Sequence, residues 1–302
     1  MPFAQGSRSR LSFTEESVFG VTPATPSMIQ LPINTHSLEL RKSVIESGEI
    51  RGDRQVHVSR HGNKSVQGDI VVEMRADDFD ALLEGAFFGD FTTGVLKLGT
   101  TFKSFTFEDA LLDISKYRTF VGCAVTGLSI DVQPDAMVMT TFSVIGKNGP
   151  PASGVALDAS VTAASDNEPF DSFSGTISEG GSPIATITSL NLTIDNGIQP
   201  TMVIGADTPP QLEYGRGKVS GEIVAYFDDI TLYNKFVNET VSDITFSLTD
   251  GVTGNTYTFD LPKVKFNSGT MPLQNEQSRL LTMQIQALYN SSDGTALSVT
   301  KS

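Results

Sequence analysis

One cysteine, three histidines and no tryptophan occur in 302 residues. A lone thiol can form neither an internal disulfide nor a cysteine metal cluster. Cys123 sits in the apolar strand pattern "FVGCAVTGLSI" and reads as a small buried hydrophobe in a reducing compartment. No run approaches the roughly 18–20 apolar residues that a bilayer crossing needs. The opening "MPFAQGSRSRLSFTEES" has no apolar stretch suited to a secretory leader. Neither a membrane nor ordinary secretion is therefore expected. Basic residues are scarce as well: 21 Lys+Arg stand against 35 Asp+Glu, for a net charge of −14. The imbalance is uneven, −4 over residues 1–150 and −10 over residues 151–302. Affinity for phosphates comes from Lys and Arg, so this chain should repel nucleic acid. With 39% apolar and 19% charged residues, it can still bury a core.

Catalytic and ligand-binding constellations are missing too. His57 and His61 are four apart, a spacing that serves a metal on a helix. Here they lie in the alternating polar stretch "QVHVSRHGN", where that logic fails, and His36 stands alone. The stretch "GRGKVSG" (215–221) lacks dinucleotide-fingerprint spacing and precedes a strand, so it reads as a hairpin turn. No Gly-x-Ser-x-Gly elbow occurs. The carboxylate pairs Asp77/Asp78, Asp228/Asp229 and Glu108/Asp109 are adjacent in sequence, whereas acid–base work needs two carboxyls set across a cleft. No catalytic, metal or cofactor residue is assigned, and no small-molecule substrate is expected.

The chain does contain a long-period repeat. "SLEL" at 37–40 returns as "SLNL" at 189–192. "VQGDIV" at 66–71 returns as "VSGEIV" at 219–224, and Asp77-Asp78-Phe79 as Asp228-Asp229-Ile230. The offsets are 152, 153 and 151, far too long for a solenoid and suited to a domain duplication. Each copy orders its parts alike: an extended segment, a polar stretch, an alternating strand, a short helix and closing strands. In "GDIVVEM", Ile70, Val72 and Met74 point one way and Asp69, Val71 and Glu73 the other. Asp77 or Asp78 suits the first helix as N-cap, and Asp228 or Asp229 the second. Phe79, Leu82, Leu83 and Phe87 fall on one face of the first helix. Ile230, Tyr233 and Val237 follow the second cap, with Leu232 and Phe236 beside them. The expected organisation is mainly β: a first unit over 1–150 with an N-terminal extension, a Gly/Ser/Ala/Pro-rich linker or insert over 151–182, and a second unit over 183–302.

This order of elements resembles the tail tube (major tail) protein of bacteriophages with long non-contractile tails, over about 35–147 and again over about 187–290. The resemblance implies tandem β-sandwich units, each with a short flanking helix and a long hairpin arm. One sheet of each unit joins its neighbours in a ring-shaped β-barrel, and rings stack into a tube that DNA crosses on ejection. Rings of six tube units would need three such chains, with pseudo-sixfold symmetry. A channel wall alternates apolar toward the core and polar toward water. The lumen candidates are then Glu39, Asp69, Glu73, Asp131, Asn191, Glu222, Gln284 and Gln286, a lining that repels phosphate. The arm of the first copy, with Glu49, Arg51, Arg54, His57, Arg60 and Lys64, is basic on an acidic body and suited to docking on a neighbouring subunit or ring. The second arm, with Pro200, Pro209 and Pro210, lacks that charge. The implied partners are copies of the chain, other tail proteins at the tube ends and transiently passing DNA. The implied site is the virion, after assembly in the host bacterial cytoplasm. Two other readings stand beside this one: a β-sandwich binding module such as an adhesin or receptor-binding protein, and a β-rich hydrolase using a carboxylate pair.

Overall fold

A computed structural model describes residues 3–172, 174–184, 186–228, 230–273, 276 and 278–302. The first half runs through β1 (Ser9–Glu15), β2 (Ile29–Leu31), β3 (Thr35–His36), β4 (Glu39–Glu46), β5 (Ser59–Glu73), α1 (Asp80–Phe87), β6 (Val95–Lys97), β7 (Phe105–Leu111), β8 (Lys116–Val132) and β9 (Met139–Gly146). The second half runs through β10 (Thr176–Glu179), β11 (Ser182–Pro183), β12 (Ile187–Asp195), β13 (Gln199–Thr201), β14 (Gln211–Glu213), β15 (Lys218–Tyr226), α2 (Thr231–Val237), β16 (Ser242–Thr249), β17 (Thr256–Phe266), β18 (Leu280–Ala287) and β19 (Ser298–Lys301). Among the described residues no helix is long and apolar enough to cross a membrane.

The ladders join into one large antiparallel sheet; β13 and β14 form a separate hairpin. Strands neighbour each other in the order β4–β5–β9–β8 in the first half and β12–β15–β18–β17 in the second. The halves meet where β8 pairs with β12, from Leu190 opposite Val132 to Asp195 opposite Gly127. Among the described residues the ends of this run do not meet, so they close no barrel within one chain.

The repeated Val-x-Gly-acid-Ile has a local cause. A Cβ on Gly68 would lie 2.5 Å from the Ser37 carbonyl carbon, and one on Gly221 would lie 2.4 Å from the Asn191 oxygen. Only glycine admits a neighbouring backbone so close. The following alternation then buries Ile70, Val72 and Met74, or Ile223, in an apolar cluster that is continuous through both halves, and buries Ala225 as well.

The segment between the halves is pinned to both of them. Leu157 N–H donates to Glu108, Met28 N–H to Asp158, and Phe170 packs edge-on against Tyr257 at 5.5 Å. Its last part is β10–β11, and β10 pairs with β16 of the second half.

Helix capping departs from the sequence expectation. Phe79 holds the cap position of α1 and Ile230 that of α2, and neither cap has a side-chain hydrogen bond. Asp77 has a left-handed backbone (φ 71°), and its carboxylate takes Lys301 Nζ at 2.6 Å. Asp78 accepts from Ser165 N (2.8 Å) and Oγ (3.0 Å). Distant partners have recruited both carboxylates away from the helix end. Asp228 is exposed and two residues before the α2 cap, and Asp229 lies outside the described residues.

Candidate functional site

Strand register collects most of the candidate wall residues on one sheet face. Glu73 and Asp131 both lie opposite Met139; Asp131 pairs with Asn191, Asn191 with Glu222, and Glu222 with Gln284. These pairs make a single row across β5, β9, β8, β12, β15 and β18. The neighbouring row holds Thr141, Ser129, Thr193, Ser220 and Gln286. The next holds Asp69, Ser143, Gly127, Asp195 and Lys218. Glu39 stands apart on edge strand β4, opposite Gln67, and its carboxylate is held by Arg41 at 2.8 Å.

The rows are cross-linked by side chains. Ser143 Oγ donates to Asp69 at 2.7 Å, Asn191 Nδ2 to Ser129 Oγ at 3.2 Å, and Asn34 Nδ2 to Glu73 at 3.0 Å. The Gln284 amide donates to Glu222. Cross-strand pairs of this kind each stabilise a sheet by about 0.2–1 kcal/mol, so they order the surface more than they hold the fold. The hydroxyl rows, Asp195 and Lys218 escaped the sequence reading although the same alternation marks them. Within the three rows, Asp69, Glu73, Asp131, Asp195 and Glu222 stand against Lys218, with Lys265 opposite Gln286. The face is open, polar and acidic, and among the described residues its hollow beside Asn191 and Gln284 holds a single carboxyl, Glu222. Its chemistry is repulsion of polyanions.

The two arms differ. The first is the β4–β5 hairpin with its tip over residues 47–58. Arg51 pairs with Glu49 at 2.6 Å and His57 with Asp53 at 2.6 Å, Arg54 takes a left-handed turn (φ 60°), and Arg60 lies opposite Ile45. At its root, Lys64 Nζ reaches Asp207 of the second arm at 2.9 Å and holds that carboxyl below its ordinary range. The second arm, β13–β14, folds back on the first half. Ile198 and Leu212 pack with Phe88, Ala124 and Ile145, and the Tyr214 ring stacks on Phe102 at 5.8 Å.

The junction also fixes α1. Asn196 Nδ2, just past β12, donates to the Ala86 carbonyl at 2.8 Å and the Val125 carbonyl at 3.3 Å. Tyr257 Oη donates to Asp80 at 2.5 Å, and Lys301 Nζ bridges Asp80 (2.5 Å) and Asp77 (2.6 Å). Burial pushes the Asp80 carboxyl up, against the pull of Lys301 and Tyr257. Burial and the adjacent Asp80 charge push the Tyr257 hydroxyl up too.

No curated protein matches the chain. A family model described as phage tail tube protein matches residues 6–296, which takes in both halves, both arms and the junction. An open acidic sheet with strand edges left for pairing accords with that match: the chain belongs to the phage tail tube protein family and is a structural protein of the virion.

Proposed function

We propose that copies of this chain join head to tail in rings of three, each chain supplying two tube units, and that the rings stack into the tube of a long non-contractile tail. The observation that carries this reading is the polar row from Glu73 to Gln284, which crosses from one half to the other at β8–β12 without a break. A face that continues across a junction of two similar halves can continue across junctions between chains. The strand orders β4–β5–β9–β8 and β12–β15–β18–β17 support a tandem duplication, so three chains would set six similar units around a channel.

On this reading Asp69, Glu73, Asp131, Asn191, Glu222, Gln284 and Gln286 line the lumen, with Glu39 at the seam between chains. DNA passes a wall that offers its phosphates few cations. The first arm reaches a neighbouring ring, other tail proteins close the tube ends, and assembly takes place in the host bacterial cytoplasm. No cofactor enters. Cryo-electron microscopy of the assembled protein tests the reading. Three chains per ring, with the Glu222 row toward the channel, are expected. Six chains per ring would sink the stoichiometry, and the absence of rings under any assembly condition would sink the reading.

A further inference from the structure

Strand β8 has both edges occupied. β9 takes one; the other is shared by β7 over residues 116–123 and β12 over residues 127–132. Strand β17 repeats only the first part of this arrangement. β16 follows its edge as far as Val264, as β7 follows β8 as far as Cys123. Beyond, the chain continues along β18, with Thr270 and Thr282 exchanging both backbone hydrogen bonds at 2.9 Å. On the outer edge of Gly269–Leu273, where β12 would lie, no strand pairs among the described residues. The Met271 carbonyl there accepts a side-chain bond from Arg279 at 2.7 Å.

Helix α2 roofs this open edge. A Cβ on Gly269 would lie 3.2 Å from Phe236 and 3.4 Å from Tyr233. Yet the outer side of α2 is bare, with Ile230 61% and Val237 57% exposed. The end of α1 is covered by the chain past β12, with Asn196 on the Ala86 carbonyl and Ile198 and Leu212 beside Phe88. The corresponding stretch of the first half is Val44 and Ile45 at the end of β4, also apolar and exposed, and it leads into the first arm. Charge agrees with this pairing. Residues 41–64 hold Arg41, Lys42, Arg51, Arg54, Arg60 and Lys64 against Glu46, Glu49 and Asp53, while residues 151–302 carry −10.

We infer that the outer edge of β4 and the root of the first arm from a second copy occupy the Gly269–Leu273 edge and the outer face of α2, repeating between chains what β12 and the second arm do within one. This specifies the contact in the self-assembly proposed above and rests on it. The two glycines set the register. Gly221 lies opposite Leu192 and Ile285, and Ile285 opposite Phe266. Gly68 lies against Ser37–Leu38 and opposite Val144, and Val144 opposite Val125. The pair Thr193–Ser129 within the chain therefore becomes Glu39 of one copy against Thr270 of the next.

Directly opposite residues in an antiparallel pair hold their Cβ atoms about 4.5–5.5 Å apart. Full-length Glu39→Cys and Thr270→Cys variants, mixed, assembled and treated with a short bis-maleimide, should give a covalent dimer that neither variant gives alone; the native Cys123 is buried. The doubly substituted chain should give covalent trimers. Rings seen by microscopy but left uncrosslinked at this pair would overturn the contact and leave the tube reading standing. A chain that forms no rings would overturn both.

Discussion

Helices α1 and α2 occupy equivalent places in two similar halves, yet one buries its whole apolar face and the other leaves much of its own exposed. In α1, Phe79, Leu82, Leu83, Ala86 and Phe87 are all inaccessible to solvent. In α2 only Leu232 and Phe236 pack on the core, while Ile230, Tyr233 and Val237, the positions that sequence places after the cap, look outward. An eight-residue helix is too short to persist alone. What secures α1 is burial, at roughly 1.5–3 kcal/mol for each fully buried Leu or Phe side chain. The second half adds to it, with Tyr257 and Lys301 on Asp80 and Asn196 on the Ala86 carbonyl. The lesson is that a helix face acquires its role from what arrives over it, and Ile230 and Val237 of α2 stay largely exposed in this chain alone.

The largest expected effect tests that asymmetry. Leu83→Ala should lower unfolding stability by about 2–5 kcal/mol, through lost burial and a residual cavity. Val237→Ala should change it by no more than about 0.5 kcal/mol in the unassembled chain. Urea unfolding at low protein concentration measures both. If Val237→Ala costs as much as Leu83→Ala, the helices are equivalent and the comparison fails.

Next in size is the junction that roofs α1. Asn196 is buried, and its amide satisfies two main-chain carbonyls of the other half. Asn196→Ala should cost about 1–3 kcal/mol, because the Ala86 and Val125 oxygens would stay buried with those bonds unmade. Asn196→Asp should be at least as damaging, since a carboxylate presents acceptors to acceptors. An unchanged thermal midpoint in both variants would show that the roof does not depend on this residue.

The limits of the sequence signal follow from the same comparison. Strand alternation reports local geometry, so "GDIVVEM" and "GEIVAY" show which side chains are buried before any fold is known. The α1 stripe of Phe79, Leu82, Leu83 and Phe87 is legible for the same reason. The caps are not, because Lys301 and Ser165 claim Asp77 and Asp78 from 224 and 87 positions away. The α2 face is not, because Ile230 and Leu232 are both plausible core residues until neighbours decide between them. The anchoring of the inter-half segment is hidden as well, since the partner of Phe170 is Tyr257. On the candidate wall, the identity of each polar residue can be read, but the row that aligns Asp131 with Asn191 across the halves depends on a register that only pairing sets.

The smallest effect on stability concerns the arms, which sharpen the comparison between the halves. The second arm is packed on its own chain; the first projects, and among the described residues its Arg51 is paired within the arm, to Glu49. Exposed pairs of this kind contribute about 0–1 kcal/mol. Reversing both charges, Arg51→Glu with Arg54→Glu, should leave unfolding within about 0.5 kcal/mol of the parent. Assembly should respond differently. A basic arm docking on an acidic neighbour is an attraction between exposed charges, screened within about 8–10 Å at physiological salt. Tube formation by the parent, followed by light scattering, should therefore slow as salt rises. The reversed variant should start slower at low salt and show little further salt dependence. Equal assembly rates and equal salt slopes would remove the arm from the contact and leave its charge as a matter of solubility alone.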